Sequence, residues 1–203
     1  YFETFILIKK CLQLLKIVLV LPHMTRIGGA ARYAWELGEF LTEKGDEVTI
    51  VSLYTDKGLY NSKKIKIINL ADTTFLPQSV KFWTNLRNIR KKLSHTIKIE
   101  KPDLVLFNHF PCTLWAQKFN EIPILCCPQD IELLYSDTYT KNLKSSVYWI
   151  WKFMRFFVRI YEKDKWKYFD SIIASSKFTA KHIQDIYGVD SKVIYLGANK
   201  IFF

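Results

Sequence analysis

Short runs of aliphatic and β-branched residues alternate along the chain with longer stretches whose apolar positions recur every three or four residues. Lys16 to Leu21 (KIVLVL) reads as a buried strand, followed by a loop carrying Gly28-Gly29 and a helix that runs to about Lys44 with Ala34, Leu37 and Phe40 (or Leu41) inward. Gly45 stops that helix, and strands are expected at Glu47 to Ser52 and Lys64 to Asn69. Ser79 to Glu100 keeps helical spacing at Val80, Trp83, Leu86, Ile89, Leu93 and Ile97, and Pro102-Asp103 ends it. Strands follow at Leu104 to Asn108 and Ile122 to Cys127, separated by a short helix from about Cys112 to Asn120. Pro128-Gln129-Asp130 opens a loop, and a long helix spans roughly Lys141 to Tyr168, with Trp149, Phe153, Phe156 (or Phe157) and Ile160 at core spacing. Strand Ser171 to Ser175, helix Lys177 to Tyr187 stopped by Gly188, and strand Lys192 to Leu196 complete the pattern. This alternation predicts a doubly wound α/β fold, a parallel sheet wrapped by helices. Ligands then belong at the carboxyl ends of the strands, where the loops after the first, fourth and fifth strands converge.

Composition narrows the class. Of 203 residues, 49% are hydrophobic and 24% charged, which excludes a disordered chain. Thirty Lys and Arg against 19 Asp and Glu give a net charge of +11. The excess is local: Lys81 to Lys101 holds seven basic residues and one acidic, and Lys141 to Lys167 eight basic and two acidic. The rest of the chain is close to neutral, so the excess calls for a local explanation, such as an anionic membrane, a phosphate-bearing substrate or nucleic acid. The second segment is also aromatic, with ten Phe, Tyr and Trp between Tyr148 and Phe169. Aromatic and basic residues together suit an interfacial helix lying on anionic headgroups, with Arg87, Arg90, Lys91, Lys92, Lys152, Arg155 and Arg159 as the membrane-surface candidates. A solvated face over a large core is the alternative. No RNP, KH or helix-turn-helix signature accompanies the charge, so nucleic acid is not an expected partner.

Cys11, Cys112, Cys126 and Cys127 form no C-x-x-C pair and read as small buried residues in a reducing compartment. No apolar run is long enough to span a bilayer. Phe5 to Leu21 has the apolar look of a signal peptide but lacks a small-residue cleavage site, and its last six residues read better as strand. The opening Tyr1 and closing Phe202-Phe203 suggest a domain cut from something longer.

The chemistry concentrates in loops. Gly28-Gly29, between a strand and a helix, lets backbone approach a ligand, and the helix start offers N–H groups and partial positive charge to a phosphate. A tight turn needing positive φ is the other reading of the same pair. The spacing is neither G-x-G-x-x-G nor a P-loop. Asp130, after a buried strand, is the best-placed carboxylate, with an N-cap or turn role as the alternative. His109 and His23 lie at strand ends, where they could meet a substrate or simply bond to backbone. No His, Cys, Asp and Glu cluster has metal-ligand spacing, so no metal or cofactor is expected.

Gly28-Gly29-Ala30-Ala31-Arg32, then Leu37, Leu41 and Gly45-Asp46-Glu47-Val48-Thr49-Ile50-Val51, resemble the G-G-A-E-R, leucine-rich helix and G-H-E-V-T-V-V of glycosyltransferase family 4. The resemblance continues through Lys101-Pro102-Asp103-Leu104-Val105, Ile122-Pro123-Ile124 and Phe169-Asp170-Ser171-Ile172-Ile173-Ala174-Ser175-Ser176, and closes on Val193-Ile194-Tyr195-Leu196-Gly197-Ala198-Asn199, similar to V-I-P-N-G-V-D. It implies the acceptor-side, Rossmann-like half of a two-domain GT-B enzyme over residues 16–199, after an extension of residues 1–15, with the donor-binding domain absent from this chain. It further implies a retaining transfer from a nucleotide-diphosphate sugar to a glycan or lipid-linked acceptor, in the cytoplasm or peripherally on the cytoplasmic membrane face. On this likeness Gly28 and Gly29 bind donor phosphate, Asp130, Gln129 and His109 are the catalytic candidates, and Asn108 and His23 face the acceptor. Two positions depart from the family pattern: Ala31 replaces the Glu of G-G-A-E, and Gln129 stands where His often precedes an acidic residue. Gln cannot take a proton, though its amide can bond a substrate hydroxyl. A phosphorylated-ligand binding module without turnover, or a basic nucleic-acid-binding domain, are the rival classes.

Overall fold

A computed structural model describes residues 14–25, 28–56, 58–74, 79–128 and 145–195. Seven strands form one parallel sheet: β1 (Lys16–Leu21), β2 (Glu47–Ser52), β3 (Lys66–Asn69), β4 (Leu104–Asn108), β5 (Ile124–Cys127), β6 (Ser171–Ala174) and β7 (Lys192–Val193). Their order across the sheet is β3-β2-β1-β4-β5-β6-β7. The chain works outward from β1 to β3, then crosses back to β4 and proceeds the other way. β1 and β4 therefore flank the point where the winding direction reverses, with Val20 paired to Phe107.

Right-handed crossovers place the helices on opposite faces of the sheet. Helix α1 (Gly29–Glu43) covers one face with buried Ala31, Ala34 and Gly38, over a core of Ile17, Leu19, Leu21, Val48, Ile50 and Tyr60. Gly38 is a close-approach position, since a Cβ there would lie 3.2 Å from Ile65 Cδ1. Leu41 rather than Phe40 turns inward, and Phe40 is 54% exposed.

Helices α2 (Val80–Glu100), α3 (Ser145–Lys165) and α4 (Lys177–Tyr187) lie against the other face. Ser79 and Ser176 cap α2 and α4 by accepting from the backbone N–H of Phe82 and Thr179, at 3.3 and 3.0 Å. α2 buries Phe82, Leu86, Ile89, Leu93 and Ile97, while the expected core residue Val80 is exposed. The helix expected over Cys112 to Asn120 is a single 3-10 turn at Cys112–Trp115. All four of its side chains are buried, so the segment fills the space beneath α2 and α3 instead of forming a surface helix.

The long helix corrects the sequence expectation most. Its inner face carries Trp151, Arg155, Val158, Glu162 and Lys165, all buried, with Met154 and Tyr161 alongside. Trp149, Phe153, Phe156, Phe157 and Ile160, whose spacing also fits a core stripe, point to solvent. Inside, Glu162 accepts from the Tyr187 hydroxyl at 2.6 Å and from Thr113 Oγ1 at 3.2 Å. Burial pushes its carboxyl up to about 7, only partly offset by those donors.

Three aspartates lock the amino ends of the strands. Asp103 accepts from the backbone N–H of Lys16 at 3.0 Å, Asp170 from Ile124 at 2.8 Å and Asp46 from Leu15 at 3.2 Å. Asp103 and Asp170 belong to the Pro-Asp-Leu and Phe-Asp-Ser motifs, so those motifs set strand register at the edge away from the ligand.

Candidate ligand-binding edge

The carboxyl ends of β1 and β4 meet at the topological reversal, and the first loop is fixed there by backbone pairing. Leu53 N–H donates to Pro22 O at 3.1 Å, Met24 N–H to Tyr54 O at 2.9 Å, and Asp56 N–H to Met24 O at 2.9 Å. Half-buried His23 sits between these anchors. Gly28 precedes α1 with φ −112° and ψ 161°, and its carbonyl accepts the first helical bond from Arg32 N–H at 2.9 Å. Neither Gly28 nor Gly29 has positive φ, so the turn reading of this pair is set aside. A Cβ on either would meet no protein atom within 4 Å. The glycines border open space at a helix start that carries no acidic residue in its first turn.

Across the reversal, Asn108 ends β4 in register with Cys127 of β5. It is buried, and its amide reaches Leu106 O at 3.4 Å. Asn108, expected on the acceptor side, thus has its side chain buried at the carboxyl end of β4. The next residue is half-buried. His109 adopts φ 75°, a left-handed conformation that costs a non-glycine residue about 1–2 kcal/mol. It is held by His109 N–H donating to Cys127 O at 3.2 Å and by Cys112, whose N–H and Sγ both reach His109 O, at 3.2 and 2.6 Å. Strain retained at a strand end beside a loop cluster marks a position fixed for orientation.

The bond from His109 to Cys127 also brings His109 beside the point where Pro128 leads into Gln129 and Asp130. Gln129 and Asp130 themselves lie outside the described residues. Tyr33, one turn into α1, reaches the same place by hydrogen bonding Cys127; burial, reinforced by the cysteine, pushes its phenol up to about 12. It stays protonated at any working pH. Sequence reading missed Tyr33, and its one available signal was the helical spacing from Gly29.

The basic candidates divide. Arg87 and Lys91 are exposed on α2 and Lys152 is exposed on α3. Arg90 is half-buried and donates to the Tyr161 hydroxyl at 3.3 Å, Lys92 donates to Leu70 O at 2.8 Å, and Arg159 is half-buried. Arg155, expected on the surface, is 8% exposed and belongs to the inner face of α3. An open groove bordered by Lys16, Glu47, Lys66 and Glu100 lies at the amino ends of the strands. Its charges pair with one another, Lys66 with Glu100 at 2.7 Å and Lys16 with Glu47 at 3.5 Å, at the edge opposite the glycine loop.

The profile of the family described as Glycosyltransferase Family 4 matches residues 27–200, from the glycine loop through β7. The chain belongs to glycosyltransferase family 4. Its architecture agrees with solved glycosyltransferases at low identity. Sucrose-phosphate synthase from Thermosynechococcus elongatus superposes with a TM-score of 0.70 at 18% identity, over 93% of this chain and 50% of that one. WaaG, a glycosyltransferase involved in lipopolysaccharide biosynthesis, gives 0.58 at 10% identity, over 88% and 44%. MurG from Acinetobacter baumannii gives 0.54 at 14%, over 91% and 47%. The family 4 chain thus spans about half the length of these proteins, and the fold it shares with them is the Rossmann-like domain of the GT-B class. Comparison with curated proteins gives no significant match.

Proposed function

We propose that this family 4 domain is the acceptor-side half of a retaining glycosyltransferase that moves a sugar from a nucleotide-diphosphate donor to a glycan or lipid-linked acceptor. The observation that carries the reading is the open, negative-φ glycine pair at the start of α1, inside the stretch matched by the family profile. In this reading the backbone N–H groups of Gly28 and Gly29 cap the donor phosphates when a second, donor-binding domain closes over the edge. The charge on the departing diphosphate grows as the glycosidic bond breaks, so these donors stabilise the transition state more than the ground state. His109, whose backbone is held at the end of β4, meets the sugar or acceptor hydroxyl, and His23 contributes from the neighbouring loop. Asp130 supplies the carboxylate of the acceptor edge, Gln129 positions a hydroxyl through its amide, and the leaving phosphate takes the acceptor proton. No metal is required in this scheme.

The test is turnover by the full-length protein against a panel of nucleotide-diphosphate sugars, with the product anomer read by NMR. Transfer or slow donor hydrolysis with retained configuration supports the reading. An inverted product overturns the retaining mechanism, and absence of both donor binding and hydrolysis overturns the function. Asp130→Asn should reduce transfer more than Gln129→Glu does. Equal rates for Asp130→Asn and wild type, with the fold intact, would remove Asp130 from the mechanism. A lipid-linked acceptor would also place the enzyme peripherally on the cytoplasmic face of a membrane.

A further inference from the structure

Helix α3 is amphipathic in an inverted sense. The side buried against the domain carries Arg155, Glu162 and Lys165, whereas the solvent side carries Trp149, Phe153, Phe156, Phe157 and Ile160, each between 55% and 70% exposed. From Trp149 to Ile160 that stripe runs about 16 Å along the helix. Its rings pack on one another, Phe153 and Phe157 with centroids 5.2 Å apart, Phe156 and Phe157 5.5 Å. Lys152 lies within the stripe, its Nζ 5.1 Å from the Trp149 ring and 5.7 Å from that of Tyr148. A contiguous apolar patch of this kind on a globular domain marks a contact surface.

Its surroundings select the partner. The hydrogen bond from Arg90 to the Tyr161 hydroxyl joins the flanks of α2 and α3, so their outer faces adjoin. Exposed Lys152 and Lys163 lie on α3 itself, the adjoining α2 carries exposed Arg87, Lys91 and Lys98, and Asp164, the exposed acid of α3, is already paired with Lys167 at 2.6 Å. Aromatic rings bordered by unbalanced positive charge complement an interface that is apolar below and anionic above. No helix among the described residues is long and apolar enough to cross a membrane, so the contact is one of lying on a surface.

We infer that the outer face of α3 inserts its aromatic stripe into the headgroup region of an anionic leaflet, with the exposed lysines and arginine of α2 flanking it. This deepens the transferase reading, since a lipid-linked acceptor would then be met at the membrane, but it rests on different residues and can fail separately.

The full-length protein is tested for flotation with vesicles of equal parts phosphatidylglycerol and phosphatidylcholine, and with phosphatidylcholine alone. Binding to the first and at least tenfold weaker binding to the second are expected. Raising ionic strength from about 0.1 M to about 1 M, which shortens the Debye length from about 10 Å to about 3 Å, should weaken it further. Phe153→Ser with Phe157→Ser, and separately Lys152→Gln with Lys163→Gln, should each lower partitioning roughly tenfold without lowering the melting temperature, because all four side chains face outward. Quenching of tryptophan fluorescence by brominated lipid should be lost in Trp149→Phe. Retained binding by the phenylalanine variant, or no binding by the parent, overturns the inference. A fall in melting temperature in that variant would show the stripe covered by the rest of the protein, and a dimer dissociated by it would show a second copy there. Either result also overturns the inference. Donor turnover on the same variants separates the two ideas: turnover without docking rejects only the membrane contact, and docking without turnover only the transferase.

Discussion

Gly29→Val separates a ligand-facing glycine from a structural one. Gly29 is the first residue of α1, is exposed, has no positive φ, and offers a Cβ no protein atom within 4 Å. Glycine and valine differ in helix propensity by only a few tenths of a kcal/mol, so the folded domain should change in stability by less than about 0.5 kcal/mol. For a domain of this size that is a shift in melting temperature of about 2 °C or less. The effect on donor should be far larger. A branched side chain at the helix start fills the space through which a phosphate reaches backbone N–H groups, and loss of one such donor at a charge-developing oxygen typically lowers kcat by about 100- to 1000-fold. The assay pairs a thermal melt with donor turnover on the full-length enzyme. Parallel loss of stability and activity would mean that the glycine serves the turn, and an intact rate would mean that no ligand approaches there.

Three further outcomes follow from the same geometry. His109→Asn keeps a residue type that tolerates φ 75°, so the melting temperature should stay within a few degrees while transfer falls at least tenfold; unchanged transfer would leave His109 a loop residue only. Glu162 titrates near 4.5 when unfolded but near 7 when folded, so the native state holds the extra proton between those values. Stability should therefore fall as pH rises from about 4.5 through about 7, then level off, with a full extent of about 3 kcal/mol. Glu162→Gln should flatten that slope in thermal melts taken across the window, and equal slopes in both proteins would refute the assignment. Gly38→Val adds bulk where a Cβ already lies 3.2 Å from Ile65 Cδ1 and 3.6 Å from Val48 Cγ1, and should cost about 1–3 kcal/mol in denaturant unfolding; a neutral result would show that α1 can lift from the sheet at no cost.

Period and punctuation in the sequence determined the element order, because fully buried parallel strands must be continuous apolar runs and their crossovers must be helices. Lys16 to Leu21 and Glu47 to Ser52 are strands with the bounds their composition indicates, and Gly188, at φ 69°, ends the last helix as its position implies. The motif series likewise led to the family that the profile match then showed. Tertiary structure decided what periodicity leaves degenerate. On helix α3, Trp149–Phe153–Phe156–Ile160 and Trp151–Arg155–Val158–Glu162 share the same spacing, and local apolarity favours the first set, the one that the fold leaves exposed. The second set is buried because Thr113 and Tyr187, remote in sequence, supply the donors that make Glu162 tolerable inside. The same holds at the ligand edge. Asn108 and His109 are adjacent in the chain, yet the first is fully buried and the second half-buried, with its backbone N–H tied to Cys127 O. Tyr33 joins that edge only because α1 packs over β1 and β2, which brings its hydroxyl to Cys127 at the end of β5. A sequence specifies which side chains alternate; which face meets water is fixed by the partners that the fold brings from elsewhere.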